Sequence, residues 1–202
     1  MRRRWNHNIH YHPVLLDAMP ERRECALDVG CGEGTLACKL RSSFRHVTAI
    51  DVDAASIELA RAQEPDAGID YVLADFRAYP FEPASFDFVV CVAALHHMDP
   101  PAALRRMAEL LRPGGALAVL GLARSRYPRD LPRDLAAAVA TRAHKLTKDH
   151  WESPSPTIWP PSHDYAEIRA VAAAALPAAR FRRHLLWRYS ITWIKPELSW
   201  SG

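Results

Sequence analysis

The residues with the clearest chemical meaning form a short glycine-rich turn, "LDVGCGEG", at residues 27–34. An apolar run at 26–29 leads into the turn, and Gly30, Gly32 and Gly34 alternate through it. Glycine adopts positive φ without strain and lets a ligand approach the backbone closely. The helical spacing that follows predicts a helix whose first turn offers amide donors and a positive dipole end. We therefore predict a strand, a tight turn and a helix that expose backbone groups to a ligand, with Asp28 just before the turn.

Acidic residues at later strand ends indicate which ligand the turn would bind. The dinucleotide fingerprint GxGxxG requires glycine where Thr35 stands, and the phosphate loop GxxxxGK[ST] does not occur. Asp51 ends the second predicted strand, where a carboxylate can accept hydrogen bonds from ribose hydroxyls, whereas Asp53 is better placed to cap the next helix. Asp75 ends the third predicted strand, where it can read an adenine amino group. Together these positions predict a nucleoside ligand that needs no phosphate contacts.

Cysteine and histidine spacing does not predict a metal site. The four cysteines, at 25, 31, 38 and 91, include no CxxC pair. Five of the ten histidines cluster, at 7–12 and at 96–97, but no carboxylate or cysteine is spaced with them in a recognisable pattern. We interpret Cys25 and Cys91 as reduced core residues and predict no metal.

The elements that would position these residues alternate between strands and helices. Apolar runs predict strands at 26–29, 46–50, 69–74, 86–95 and 116–123, and amphipathic runs predict helices after the turn at 30–34, at 54–63 and at 101–112. Such alternation is typical of an α/β doubly wound parallel sheet with right-handed crossovers. Ligands bind beyond the carboxyl ends of its strands, where the strand order reverses.

The pattern changes after residue 123. A helix is expected over 130–150, with Leu131, Leu135, Val139 and Leu146 facing inward. The proline-rich stretch 151–165 follows it, and the two together look like an insertion over the site. Its aromatic residues either form a wall for a flat acceptor or pack on the sheet edge: Tyr127, Trp151, Trp159 and Tyr165. A helix at 164–176 and two closely spaced strands at the end of the chain predict a final antiparallel hairpin, which completes a sheet of seven strands.

Composition limits the location and the partners. The chain has 202 residues, a formal net charge of +3 and 49% hydrophobic residues, the balance of one globular domain. No apolar run approaches the roughly 20 residues of a membrane span, and the basic N-terminus lacks the apolar region of a secretory signal. We expect a cytoplasmic protein with no membrane contact. Because the arginines are dispersed, the charge does not favour a nucleic-acid partner.

As a set, five stretches resemble the class I S-adenosylmethionine-dependent methyltransferases of the small-molecule group. They are "LDVGCGEG" (27–34), "AIDVD" (49–53), "LADFRAYPF" (73–81), "FDFVVCVAALHHM" (86–98) and "LRPGG" (111–115), in the family's order and spacing. The tail "LLWRYSITWIKP" also resembles the closing strand pair of small members, which often begin with "WNHNIHYH". The resemblance implies a Rossmann-like fold. We divide its single domain into an N-terminal lid (1–24), a donor-binding core (25–123), a substrate lid insertion (124–165) and a closing helix and strand pair (166–202).

The resemblance also implies roles for matching residues. Asp28, Gly30, Cys31 and Gly32 would hold the methionine part of S-adenosylmethionine. The adenosine part would lie against Asp51 and Val52 at the second strand and against Asp75 and the Phe76 amide at the third. Val92 and Ala93 would pass beside the sulfonium, and the N-terminal residues His10 and Tyr11 would contact the cofactor or the acceptor.

In a methyltransferase the acceptor is aligned in line with an activated methyl group, and a general base helps if the acceptor must lose a proton. His97 is our first candidate for that base and His96 the second, because both follow the fourth strand. The alternative is that either histidine simply packs or bonds to the backbone.

We expect a small-molecule acceptor and S-adenosylhomocysteine as product. A nucleic-acid methyltransferase is an alternative, but the [ND]PP[FY] motif does not directly follow the fourth strand, and the "DPP" at 99–101 comes later. A donor-binding protein that does not methylate, such as a cyclase, isomerase or regulatory partner, would carry the same donor motifs. The oligomeric state is left open.

Overall fold

A seven-stranded sheet forms the centre of the protein. Its strands, in spatial order, are β4 Ile69–Leu73, β3 His46–Asp51, β2 Cys25–Val29, β5 Phe86–Val92, β6 Leu111–Leu122, β9 Arg188–Ile194 and β8 Arg180–Arg183. The computed structural model describes residues 4–63, 68–151 and 160–197. The first five strands in that order are parallel, whereas β9 runs antiparallel to both β6 and β8. In chain order the seven strands are β2, β3, β4, β5, β6, β8 and β9. This is the mostly parallel α/β sheet with a closing antiparallel pair that the sequence predicts.

Helices cover both faces of the sheet. One face packs against α2 His12–Leu16, α3 Thr35–Arg41 and α4 Ala54–Gln63. The opposite face packs against α5 Pro100–Leu110 and α7 Tyr165–Ala175. The central strands are buried from both sides, as the continuous apolar run of β5 indicates. Because all five parallel strands end at the same edge of the sheet, their following loops converge there; we call this the carboxyl edge.

Local signals explain where the helices begin. The Asp99 carboxylate accepts from the Ala102 amide, and prolines occupy the first turn of α5, where a missing N–H costs nothing. Asp164 and Glu167 form a reciprocal capping box at the start of α7. The opposite edge of the sheet is fixed by Asp87, whose buried carboxylate pairs with Arg112 at 2.9 Å.

Two strand boundaries differ from the prediction. The fourth strand of the sequence pattern, 86–95, ends at Val92, because Ala93 has positive φ and a 3-10 turn follows at Leu95–His97. The fifth, predicted at 116–123, begins at Leu111, since "RPGG" belongs to a strand with a register irregularity rather than to a separate turn. Both shifts leave the carboxyl edge where it was expected.

The N-terminal segment, residues 4–16, lies beside the end of the long helix α6 Leu131–Thr147. It contains β1 Arg4–Trp5, α1 His7–His10 and α2, and β1 pairs in parallel with β7 Asp149–His150. Ring contacts join Trp5 to His144 at 4.8 Å and His10 to His144 at 5.0 Å. Residues 4–5 and 149–150 therefore form a small two-stranded sheet.

The predicted orientation of α6 is wrong, because the residues expected to face inward are exposed. Leu131, Leu135, Val139 and Leu146 are 44–80% exposed, and Ala137 is the buried residue of the helix. The helix instead turns its small and polar side toward the N-terminal segment, where His7 and Thr141 side chains bond at 3.1 Å. Throughout the described ranges, no helix combines the length and apolar character needed to cross a membrane.

Candidate functional site

The glycine turn after β2 has the backbone conformation that only glycine adopts readily. Gly30, Gly32 and Gly34 have φ of 69°, 52° and 76°. A Cβ added to Gly30 would overlap the Cβ of Ala94, on the loop after β5. The loop after β5 therefore occupies the space that a side chain at residue 30 would need, so the loops after β2 and β5 lie directly against each other. The turn therefore has the tight, glycine-dependent backbone that the sequence predicts.

Asp28 lies beneath this turn as a buried carboxyl group. It is 1% exposed, and neither oxygen has a hydrogen-bond partner within the described part of the chain. Burial, with the nearby charge of Asp51, raises the pKa of Asp28 to about 7, although the Ala37 amide lies near enough to offset part of the rise. A buried carboxylate without a positive partner is unfavourable in the protein alone. It fits the ammonium group of a ligand in the turn.

Asp51 connects the end of β3 to the glycine turn. The Gly32 amide donates to Asp51 Oδ2 at 2.8 Å, and the Asp53 amide donates to Oδ1 at 3.0 Å. The Ser56 amide donates to Asp53 Oδ2 at 2.9 Å, which confirms that Asp53 caps α4. Asp51 thus reaches the turn itself, and each oxygen keeps a further lone pair for a ligand hydroxyl.

The third acidic position lies on an open part of the same edge. Asp75 follows β4 and is held by Arg77, whose Nη2 donates to Oδ2 at 2.7 Å. That hydrogen bond keeps the pKa of Asp75 below its usual range. Val52 is 68% exposed, whereas the Phe76 ring is buried in the core. The exposed valine between the two carboxylates leaves an apolar surface on which a flat ring can lie.

The loop after β5 is strained where it passes the glycine turn. Ala93 has φ of 51°, a left-handed conformation that costs energy for a residue with a side chain. Its amide donates to the Leu120 carbonyl of β6 at 2.7 Å, which holds the strained residue in place. Val92 and Ala93 therefore lie between β2 and β6 at the centre of the carboxyl edge, with His96 and His97 just beyond.

The two histidines have different surroundings although their ring centroids are only 4.1 Å apart. Burial lowers the pKa of His96 to about 4, with further lowering by the charges of His97 and Arg188, and its Nδ1 is buried without a described partner. Burial also lowers the pKa of His97, but the charge of Asp51 acts in the opposite direction. The charge of Asp51 thus affects His97, and the charge of Arg188 affects His96.

His10 and Tyr11 make contacts within the protein. The Trp5 indole N–H donates to His10 Nδ1 at 3.3 Å, and the Tyr11 hydroxyl donates to the Leu185 carbonyl at 2.8 Å. The Tyr11 ring also lies 4.8 Å from that of His184. Both residues therefore belong to the part of the N-terminal segment that packs toward α6 and β9. Their role in ligand binding stays a prediction.

The predicted aromatic wall does not form one surface. Trp151 donates its indole N–H to the Glu33 carboxylate in the glycine turn, and its amide donates to the Trp5 carbonyl at 2.9 Å. Tyr127 is 71% exposed, whereas Tyr165 is buried at the start of α7. Trp159 lies outside the described residues. Trp151 thus covers the glycine turn, and the other two described aromatics do not join it.

Sequence reasoning missed two residues that complete this region, Arg188 and Glu33. Arg188 begins β9 and is 7% exposed, and Glu33 in the glycine turn is 6% exposed. A charged residue opening the otherwise apolar run "YSITWI" was the available signal for Arg188. Nothing local marks Glu33, because its partner Trp151 is 118 positions away. The described residues contain no group of three or more His, Cys, Asp or Glu side chains placed to hold a metal ion.

Comparisons with known proteins agree with this geometry. Residues 27–119 match the model of a methyltransferase domain. An uncharacterized methyltransferase of Mycobacterium tuberculosis (strain ATCC 25618 / H37Rv) is 41% identical over 194 residues, which is 95% of this chain and 98% of that relative. A ubiquinone biosynthesis O-methyltransferase of Xanthomonas euvesicatoria is 38% identical over 117 residues, or 52% of this chain and 48% of that protein.

Among solved structures, a geranyl diphosphate C-methyltransferase from Streptomyces coelicolor, in complex with Mg²⁺, geranyl diphosphate and S-adenosyl-L-homocysteine, has a similar fold. The TM-score is 0.66 at 12% identity, with 93% of this chain and 78% of that chain covered. At this identity the likeness concerns the fold alone.

Proposed function

Since the chain belongs to the family of S-adenosylmethionine-dependent methyltransferases, we propose that it transfers the donor's methyl group to a small-molecule acceptor by in-line displacement. The observation that carries the proposal is the buried Asp28 carboxylate, which has no hydrogen-bond partner among the described residues and precedes a turn where a Cβ at Gly30 or Gly34 would overlap a neighbour. This arrangement suits a donor that carries positive charge and needs close backbone contact. A phosphate cradle would not require a buried carboxylate at this point.

Residues at the ends of successive strands would bind successive parts of the donor. Asp28 would face its ammonium group, and the backbone of Gly30, Cys31 and Gly32 would surround the methionine end. Asp51 retains lone pairs for the ribose hydroxyls while its other contacts hold the turn in place. The residues that would make these contacts follow neighbouring strands, in the order β4-β3-β2 along the carboxyl edge.

The adenine would lie beyond the ribose, on the β4 side of the edge. Val52 offers an exposed apolar face, and Asp75 and the Phe76 amide would read the exocyclic amino group. The Arg77 guanidinium fixes the orientation of the Asp75 carboxylate, so that this group is held in place before the ligand binds.

The acceptor would approach from the β5 and β6 side, where the N-terminal segment covers the edge. When bound, S-adenosylmethionine supplies a methyl group already activated by a positively charged sulfur. The protein's part is to align the acceptor and exclude water, and such positioning lowers a barrier by roughly 7–11 kcal/mol. Ala93 supports this part of the site, because its strained backbone lies between the glycine turn and β6.

A base is needed only if the acceptor loses a proton, and two histidines are available for it. Burial lowers the pKa of His96 to about 4, so its ring stays neutral near pH 7 but is a weak proton acceptor there, and its Nδ1 is buried. The charge of Asp51 opposes the lowering of the His97 pKa and so favours the protonated form that a general base must reach. These surroundings favour His97, our first candidate from the sequence, over His96 as the base. A base so placed contributes about 10²- to 10⁴-fold to the rate.

Donor binding is tested by thermal unfolding with S-adenosylhomocysteine and, separately, with NAD. At a concentration of about 100 times Kd, a ligand that binds only the folded state adds about 2.7 kcal/mol to its stability. We expect an increase in Tm with S-adenosylhomocysteine and none with NAD. The reverse result would exclude the proposal.

The ribose assignment is tested with Asp51→Ala, and the exposed Asp70→Asn on the neighbouring strand β4 serves as the control. We expect Asp51→Ala to lose the increase in Tm and Asp70→Asn to keep it. Unchanged donor affinity in Asp51→Ala would show that the carboxylate does not bind the ribose. Transfer itself is measured with methyl-labelled donor and a broad acceptor panel. If label never leaves the donor, the protein binds the donor without methylating.

A further inference from the structure

Arg188 is a buried cation at the acceptor end of the carboxyl edge. It is the first residue of β9, opposite Leu122 at the end of β6, and only 7% of it is exposed. Burial lowers the pKa of its guanidinium to about 10. A guanidinium that gains a carboxylate partner has the opposite shift, as Arg112 does beside Asp87. The environment of Arg188 thus disfavours its charge.

The hydrogen bonds of Arg188 leave this charge uncompensated. Its Nε donates to the Asn8 side-chain carbonyl at 2.9 Å, and one terminal nitrogen, Nη1, donates to the Leu186 carbonyl at 3.2 Å. No described carboxylate lies within 4 Å of the guanidinium. Arg183, which is more exposed, has Asp130 at 2.9 Å. The most deeply buried of these arginines is therefore the one without a counter-charge.

Such an arrangement is expensive unless a ligand completes it. Removing an ion from water costs several kcal/mol, and a neutral amide or backbone carbonyl recovers only part of that. The groups whose charge interacts with Arg188 add no permanent negative charge: His7 and His96 are lowered in pKa by it, and Tyr11 and Tyr165 are phenols. All four lie toward the carboxyl edge or the N-terminal segment. The missing partner is an anion.

The position of Arg188 separates it from the donor's methionine end. In the order β2-β5-β6-β9 it is three strands from the strand that precedes the glycine turn. Neighbouring strands are about 4.8 Å apart, so the separation across the sheet is about 14 Å. His97, our preferred base, lies on the loop between them. Arg188 is thus on the far side of the proposed base from the donor.

We infer that the acceptor carries an anionic group, a carboxylate or a phosphate, and that Arg188 binds it with Asn8 as the orienting neighbour. This inference rests on the proposed function, since it assigns the acceptor side of the same site. Arg188 then sets acceptor specificity, because a neutral analogue would leave its guanidinium buried without a partner. The planar donor groups of arginine suit both anions.

The first test uses the wild-type protein saturated with S-adenosylhomocysteine. Binding is measured for benzoate, hexanoate and phenyl phosphate, and for the neutral counterparts benzamide, hexanamide and phenol. Charge-assisted hydrogen bonds predict a preference of about 10- to 100-fold for the anion in at least one pair. If no anion binds better than its neutral counterpart, the inference is wrong. This arm needs no variant, so folding defects do not affect it.

The second test compares Arg188→Met and Arg188→Lys with the control Arg183→Met. Arg183 is a partly buried arginine that already has a carboxylate partner, and its side chain contacts Asp130 and the Tyr165 ring but makes no hydrogen bond to Arg188 or Asn8, so its loss removes a charge without removing the proposed anion contact. We expect Arg188→Met to lose the anion preference, Arg188→Lys to keep part of it and Arg183→Met to keep all of it. A full preference in Arg188→Met would overturn the inference.

Affinity for S-adenosylhomocysteine is measured in the same samples, and it separates the two proposals. If the donor product does not bind the wild type, the proposed function fails. If it binds and the anion preference is missing, only the acceptor assignment fails. If Arg188→Met loses donor affinity rather than anion preference, the guanidinium serves the donor carboxylate and the inference is overturned.

Discussion

Replacing Asp28 with asparagine should stabilise the ligand-free protein while it weakens donor binding. Asp28 is fully buried, lacks a hydrogen-bond partner among the described residues and has a pKa raised to about 7 from 3.8. A change of that size corresponds to about 4 kcal/mol of unfavourable interaction for the ionised form. Asparagine has nearly the same shape and cannot ionise, so that this unfavourable interaction disappears.

The pH dependence gives the prediction its sign. Between pH 3.8 and about 7 the folded protein holds a proton on Asp28 that the unfolded chain releases. The contribution of Asp28 to stability is therefore complete below pH 3.8 and is lost as the pH rises to 7. Between pH 5 and 8 the wild type should lose about 3 kcal/mol through this group. Asp28→Asn should not, and other titrating groups cancel when the two proteins are compared at each pH.

The assay is urea unfolding of wild type and Asp28→Asn at pH 5 and pH 8, with the exposed Asp70→Asn as control. The free energy of unfolding of Asp28→Asn, relative to wild type, should rise by about 3 kcal/mol from pH 5 to pH 8. The same difference for Asp70→Asn should stay near zero, because surface substitutions change stability by about 0.5 kcal/mol or less. A difference for Asp28→Asn that does not change with pH would refute the argument that the carboxylate is buried and uncompensated.

A second readout connects stability to function. Binding of S-adenosylhomocysteine, whose ammonium group would replace the missing partner, should weaken in Asp28→Asn by about 10-fold or more, as expected for a lost charge-assisted hydrogen bond. If the variant becomes more stable and binds the donor product as tightly as wild type, the carboxylate is not retained for the donor. The two readouts can fail independently.

Two further predictions concern the base and the exposed helix face. His97→Gln should lower kcat by about 10²- to 10⁴-fold for an acceptor that must lose a proton, with S-adenosylhomocysteine affinity unchanged, whereas His96→Gln should lower it less; a larger loss in His96→Gln would contradict the ranking drawn from the sequence. Leu135→Ser on the exposed face of α6 should change the free energy of unfolding in urea by about 0.5 kcal/mol or less. Leu104→Ala, in the buried part of α5, should lower it by about 2–5 kcal/mol. Equal losses in the two variants would mean that Leu135 is packed.

The donor side of the site could be predicted from the sequence because its signals are local. Each carboxylate directly follows an apolar run, and parallel strands bring all such positions to one edge of the sheet. The hydrogen bond from the Gly32 amide to Asp51 shows how close they become. The strand boundary at Val92 was less predictable, since the apolar run continues through Ala93 and Ala94 and only the positive φ of Ala93 ends the strand.

The acceptor side depends on contacts between residues that are far apart in the chain. Arg188 bonds Asn8 across 180 positions, and Trp151 bonds Glu33 across 118. No periodicity or spacing encodes such pairs, because either residue alone has ordinary surface interpretations. Arginine, asparagine and glutamate are mostly exposed in proteins, so their burial becomes evident only from the fold. The acceptor class therefore had to be inferred from the structure.

Helix α6 shows why an apolar period alone did not predict burial. Its leucines and valine repeat at helical spacing, and that correctly identifies one apolar face. Burial also requires a partner on that side, and none of these four residues belongs to the described core clusters on the two faces of the sheet. The N-terminal segment offers histidines and a tryptophan instead, which pair with Thr141 and His144 on the opposite side of the helix. The helix therefore turned its polar side inward, because ring stacking and hydrogen bonds were available there and an apolar partner was not.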